Sequence, residues 1–306
     1  MGDERLRVGV MLPLFTDDAE RVLGFARRAE ALGFDGLFAF DHLLPLHQPA
    51  EQPAFEVFAT LAAVAAATSE VALGTLVTRA SLRPAGLLAS LAAALDGASG
   101  GRLVLAVGTG DELSKREHDA YGIAYRERAV RHAHLADTVR ALRELFAGRP
   151  WEGSALVPAV RGPLLPPPHR PDGPPVWVGG LSDAVVAIAG RLADAWNGWG
   201  VDLPGFERRV AGLRRAADEA GRTVPPTWGG IVLVGRDRDD VEALRGRRRE
   251  RGLTPDVWSG DADGLVAFLR GLRAAGAAWA VLMPAGPPDR LELIAERVLP
   301  AVGGAA

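Results

Sequence analysis

Residues 71–110 read VALGTLVTRASLRPAGLLASLAAALDGASGGRLVLAVGTG, and their pattern decides the fold. Positions 71–77 are an apolar run of β-branched and small side chains that ends at Thr78. Apolar residues at helical spacing fill 85–98 until Gly100-Gly101 stop them, and a second apolar run, 103–107, ends in Gly108-Thr109-Gly110. The order is strand, helix, strand. In parallel α/β proteins ligands bind beyond the carboxyl ends of the strands, so chemistry is expected at Thr78, Thr109, Gly110 and Asp111.

Working outward, the same alternation continues. Upstream, a strand at 6–12 leads to a helix that Asp17-Asp18 start and Gly33 ends. A strand at 36–40 then stops at Asp41-His42, followed by a helix at 56–67. Downstream lie strands at 176–178, 194–199, 227–234 and 278–283, with helices at 129–146, 183–192, 206–220, 239–251, 262–275 and 290–299. Eight strands without a shift in composition predict an α/β fold: one (β/α)8 TIM barrel over 1–306, with insertions at about 113–128 and 148–175. The second insertion is too rich in Pro and Gly for regular helix or central strand. A doubly wound sheet is the alternative.

Composition narrows the chemistry. The chain has no cysteine, which removes disulfides, thiol nucleophiles and Cys-bound metals. Its one lysine, Lys115, stands in a charged stretch suited neither to a phosphate loop nor to a Schiff base. A net charge of −3 provides no broad basic footprint for nucleic acid, and the Arg247-Arg248-Arg249 run reads as a solvated helix face. The apolar stretches are too short or interrupted to span a bilayer and the N-terminus lacks a signal-peptide pattern, so a cytoplasmic protein is expected. The expected partner is a small-molecule substrate, with neither nucleic acid nor membrane, and the assembly considered is a homodimer.

Three places carry candidate chemistry. Asp41 and His42 should point to opposite sides, one toward the barrel mouth, where an imidazole exchanges protons near neutral pH; a hydrogen-bonded pair closing a loop is the other reading. Gly108-Thr109-Gly110 permits close backbone approach to a ligand and is followed by Asp111 and Glu112, but Leu113 breaks any GxGxxG fingerprint. Gly179-Gly180-Leu181-Ser182 opens directly into a helix, whose free amides and dipole suit a phosphate or simply leave Ser182 as an ordinary cap. His132 and His134 are two apart on a helix and do not share a face, so they make a poor metal pair on the surface. His47, His118 and His169 lie in loops without a second ligand at metal spacing, although His118 is within range of the barrel mouth; no metal site is expected. Trp196 and Trp199, at a strand end, suit the wall of a flat ligand.

The segments 32–42 (LGFDGLFAFDH), 73–110, 117–123 (EHDAYGI) and 176–200 (VWVGGLSDAVVAIAGRLADAWNGWG) resemble the luciferase-like flavin-dependent oxidoreductases. The branch most similar uses coenzyme F420, an 8-hydroxy-5-deazaflavin. The resemblance covers about 7–200 and weakens beyond. It implies a bacterial-luciferase-like (β/α)8 barrel and hydride exchange at a bound deazaflavin, with an FMN-dependent monooxygenase using reduced flavin and oxygen as the alternative. Carried over by motif, Asp41 and His42 lie beside the coenzyme ring, with His42 placed for proton transfer or for steering substrate. The Leu76-Val77 peptide matches a non-prolyl cis bond that backs the ring. Thr78, Gly108, Thr109, Gly110 and Asp111 line the coenzyme, Asp111 as a candidate general acid, and Gly179, Gly180, Leu181 and Ser182 hold its phosphate. The family's sugar-phosphate dehydrogenases grip substrate phosphate with lysines and place a tryptophan soon after the Asp-His pair. Here position 46 is Leu and Lys115 is the only lysine, which argues against a sugar phosphate and for a small or apolar organic substrate.

Overall fold

The computed structural model describes residues 5–45, 52–253 and 257–303. Its strands are β1 (Arg7–Met11), β2 (Gly36–Ala39), β3 (Ala72–Thr75), β4 (Thr78–Arg79), β5 (Leu103–Gly108), β6 (Val176–Gly179), β7 (Ala195–Trp199), β8 (Pro226–Gly235), β9 (Trp258–Asp261) and β10 (Trp279–Pro284). The helices are α1 (Ala19–Ala31), α2 (Val57–Ala67), α3 (Ala85–Ala98), α4 (Lys115–Ala120), α5 (Arg128–Phe146), α6 (Asp183–Leu192), α7 (Leu203–Glu219), α8 (Arg238–Glu250), α9 (Ala262–Ala274), α10 (Arg290–Arg297) and α11 (Leu299–Gly303).

The parallel sheet runs β1-β2-β3-β5-β6-β7-β8-β10, and β10 returns to β1, with Arg7 opposite Trp279 and Val10 opposite Leu282. Of the ten strands among the described residues, β4 and β9 lie off the ring, so eight close it. The (β/α)8 barrel is therefore the fold, and the doubly wound alternative is ruled out by the β1–β10 pairing. β4 resumes the line of β3 after Leu76-Val77 and pairs with β5, Thr78 opposite Val107. From Val232, where the pairing of β8 with β10 ends, β9 joins β8, with Val232 opposite Trp258.

Two apolar layers hold the barrel. The inner one is filled by Phe38, Trp177 and Trp279, whose ring centroids lie 5.5–5.9 Å apart in stacked and edge-on pairs, together with Met11, Leu76 and Val281. Such pairs add about 0.5–1.5 kcal/mol each beyond the apolar area they bury. These side chains fill the middle of the barrel beneath the strands' carboxyl ends. The outer layer packs the helices on the sheet through residues such as Leu37, Leu73, Leu105, Val178 and Leu282.

Departures from the expected elements have local causes. Helix α7 begins at Leu203, because the Asp202 carboxylate caps the Gly205 N–H at 2.9 Å and Pro204 suits a first turn. The short β9, WSGD, has no apolar alternation and owes its extended form to β8. The insertion 113–128 holds helix α4, while 148–175 has only a bridge between Trp151 and Val160. Arg247 and Arg249 are exposed as expected of a solvated face, whereas Arg248 is buried on the inner side of α8. His47 and position 46 lie outside the described residues.

Candidate functional site

Strand β2 aims the site's side chains by its alternation. Phe38 points into the barrel, and Phe40 and His42 follow on the same side at steps of two, while Asp41 turns the other way. Phe40 lies 5.7 Å from the His42 ring and edge-on to Trp199 at 5.5 Å, and Phe15 stacks on Phe40 at 6.3 Å. His42 therefore sits beside an aromatic wall.

Asp41 is buried and fully engaged. Its carboxylate accepts from the Thr78 hydroxyl and from both terminal nitrogens of Arg83, one of them at 3.2 Å. Arg83 also donates to Glu56 Oε1 at 2.6 Å, and its guanidinium lies over the Phe58 ring at 4.9 Å. Burial works against the Arg83 charge, but the bonds to Asp41 and Glu56 outweigh it and raise its pKa. Arg79, almost fully buried, donates to the Asp41 carbonyl at 3.0 Å.

His42 has a partner that sequence reading missed. Its Nδ1 lies 2.9 Å from Glu117 Oε1, and the Leu44 N–H donates to the same oxygen at 3.2 Å. Glu117 Oε2 forms an ion pair with Arg79. Burial pushes the Glu117 carboxyl upward, yet the His42 bond and the charges of His42 and Arg79 prevail, so its pKa falls below the usual range. The segment EHDAYGI was visible in the sequence, but the reach of α4 to a residue 75 positions away was not. Its neighbour His118 is buried, turned to the Ala124 carbonyl at 3.2 Å and edge-on to Tyr125, with its pKa lowered by burial.

The Leu76-Val77 peptide is cis, as the resemblance implied. Val77 projects between two strand ends: a Cβ on Gly108 or on Gly179 would lie 2.6 Å from a Val77 methyl. Those glycines let a valine side chain stand at the mouth where larger neighbours would collide with it. Thr109 and Gly110 follow, Gly110 with a φ of 70°. Asp111 is exposed at the rim, where its carboxylate accepts from the Ser114 N–H at 3.1 Å and hydroxyl at 2.9 Å, and its carbonyl accepts from Tyr125 at 2.8 Å. Among the described residues no hydrogen bond joins it to His42.

The second glycine loop lies at the start of α6. Gly180 adopts a φ of 145°, Ser182 caps Val185, and the Leu181 carbonyl accepts from Arg209 at 3.0 Å. His132 reaches this loop from α5, its Nε2 3.4 Å from Ser182 Oγ, with Arg128 and Arg131 on the same helix. It is thus more than the surface residue expected. Burial, then the charges of Arg131 and Arg128, hold its pKa below the ordinary value. Trp199 joins the wall, but Trp196 is fully buried in the outer layer, bonded to the Gly180 carbonyl at 2.8 Å and stacked on Phe206. Lys115 is exposed and paired with Asp119. Among the described residues no three His, Asp or Glu side chains are grouped to hold a metal, and no helix is long and apolar enough to cross a membrane.

The luciferase-like monooxygenase family model matches residues 5–295. A phthiodiolone/phenolphthiodiolone dimycocerosates ketoreductase of Mycobacterium tuberculosis is 30% identical over 186 residues, 57% of this chain and 46% of that protein. An F420-dependent glucose-6-phosphate dehydrogenase of Nakamurella multipartita is 33% identical over 205 residues, 63% of this chain and 57% of that protein. The chain thus spans about half the length of these curated relatives. A solved F420-dependent secondary alcohol dehydrogenase, in complex with an F420-acetone adduct, shares the fold with a TM-score of 0.85 over 97% of this chain and 99% of that one, at 20% identity.

Proposed function

This chain belongs to the luciferase-like monooxygenase family, and from that premise we propose that it is an oxidoreductase that moves a hydride between coenzyme F420, an 8-hydroxy-5-deazaflavin, and a small organic substrate. The observation that carries the reading is His42. One ring nitrogen is bonded to Glu117 and the other has no hydrogen-bond partner among the described residues, beside an aromatic wall and above the side chains that fill the middle of the barrel.

The residues present fit such a coenzyme. Leu76 and Val77 offer an apolar backing for a flat ring, Thr109 and Gly110 an adjoining edge, and Phe15, Phe40 and Trp199 a water-excluding side. Gly179, Gly180, Leu181 and Ser182 present the amide end of α6 to a phosphate, with His132 alongside. When bound, the deazaflavin supplies a two-electron hydride acceptor or donor. His42 takes the substrate's hydroxyl proton onto Nε2 in oxidation and returns it in reduction. Asp41, tied to Thr78 and Arg83, braces the turn that carries His42. Asp111 lines the rim, bonded to Ser114; proton transfer is assigned to His42 because, of the two, it is His42 that adjoins the wall. The relatives named for F420 support the coenzyme. Lys115 being paired at the surface supports an uncharged, small or apolar substrate over a sugar phosphate.

A second reading, an FMN-dependent monooxygenase using reduced flavin and oxygen, rests on the family's own description. Titrating the protein with coenzyme F420 and with FMN, followed by absorbance, separates the two. Micromolar F420 binding without FMN binding is expected, and the reverse would overturn the proposal. A homodimer and a cytoplasmic location stay with this proposal as expectations, measured by light scattering and by fractionation.

A further inference from the structure

We infer that Glu117 is a positioning residue that fixes His42 as its Nδ1–H tautomer and so leaves Nε2 as the atom that exchanges a proton with substrate. The inference rests on the proposed role of His42 and extends it to a residue on a separate insertion.

A carboxylate accepts hydrogen bonds and donates none, so the proton in the 2.9 Å contact between Glu117 Oε1 and His42 Nδ1 belongs to the imidazole. A neutral imidazole has one N–H, so Nε2 then carries a lone pair. Glu117 cannot turn away easily. The Leu44 N–H holds the same oxygen at 3.2 Å, the Arg79 guanidinium holds the other, and both carboxylate and guanidinium are buried. Arg79 in turn donates to the carbonyl of Asp41, next to His42. Glu117 of the insertion between β5 and α5 thus holds the ring and the Leu44 N–H, while Arg79 of β4 ties the same carboxylate to the backbone before His42.

The test begins without coenzyme. Nitrogen-15 spectra of the histidines, recorded at about pH 8, above the ordinary histidine pKa, should show His42 protonated at Nδ1 and unprotonated at Nε2. Glu117→Ala should let the two tautomers mix and lower kcat by about 10–100-fold, while coenzyme affinity and KM change by less than about threefold. Glu117→Gln combined with Arg79→Met, which removes the donor facing the other oxygen, leaves the amide oxygen to His42 and Leu44 and should restore the tautomer and most of kcat. Removing Glu117 alone leaves Arg79 buried and unpaired, so the double variant Arg79→Met/Glu117→Ala serves as the folded control and should show the same mixed tautomer. A wild-type His42 protonated at Nε2, or a Glu117→Ala protein with unchanged tautomer and kcat, would overturn the inference. Because the spectra need no coenzyme, an intact tautomer with failed F420 binding would refute the proposed reaction and leave the positioning role standing.

Discussion

Arg83 grips both carboxylate oxygens of Asp41 from outside the barrel wall, and the same guanidinium holds Glu56 at 2.6 Å. Asp41 is 2% exposed, so that guanidinium stands where water would otherwise meet the carboxylate. Arg83→Met should therefore destabilise the fold by about 3–5 kcal/mol, the cost of leaving one member of a buried ion pair alone. Arg83→Lys should recover only part, since an ammonium cannot fork between Asp41 and Glu56. Urea denaturation measures both, and a loss below about 1 kcal/mol in the Met variant would show that the pair contributes little.

His42→Ala removes the proposed proton acceptor while leaving Val77 and the glycine loops in place. Turnover should fall about 10²–10⁴-fold, with coenzyme affinity within a few-fold of the parent. Unchanged turnover would remove His42 from the chemistry.

A side chain at Gly180 meets two obstacles: a φ of 145°, which other residues rarely adopt, and a Cβ that would sit 2.9 Å from a Val185 methyl. Gly180→Leu should displace the start of α6 and weaken a phosphate-bearing deazaflavin by about tenfold or more. Binding of a phosphate-free deazaflavin should hardly change. Equal losses for both ligands would argue against a phosphate at this loop.

His132 supplies a pH test of the same loop. Burial, then the charges of Arg131 and Arg128, lower its pKa and so disfavour the charged ring. A bound phosphate favours the charged ring, so binding should take up a proton and tighten as the pH falls from about 7 toward 6. Calorimetry in two buffers of different ionisation heat counts that proton. An identical pH slope in His132→Asn would assign the effect elsewhere.

His118 should make the insertion acid-sensitive. Its folded pKa lies below the unfolded one because of burial, so the unfolded state binds the proton more readily. The stabilisation is complete above about pH 6.5 and is lost as the pH falls through the lower folded value. Hydrogen exchange over residues 111–127 should accelerate on acidification. In His118→Gln the acid dependence should flatten, and an unaltered profile would exclude His118 as its source.

Much of the barrel was legible because its causes are local. The apolar run at 71–77, the helical spacing at 85–98 and the Gly100-Gly101 stop each act within a few residues, so counting such units yields the eight strands that close. Alternation likewise placed His42 and Asp41 on opposite sides of β2. The signals failed where an element exists only by pairing: β9 carries no strand pattern and is extended because β8 offers it an edge.

From its own order of residues, then, the chain determined the strand and helix sequence, the positions of its glycine turns and the placing of Asp41-His42 at a strand end, since these follow from side-chain periodicity and backbone preference. Only the tertiary structure decided which charges meet. Arg79, Arg83, Glu56 and Glu117 look like ordinary surface-helix and loop residues in the sequence. They become the scaffold of Asp41 and His42, Arg79 and Glu117 buried and Glu56 at its exposed edge, because barrel closure brings the ends of β2 and β4 together with the starts of α2 and α4. Such ion pairs are set by distance in space, which no spacing along the chain encodes.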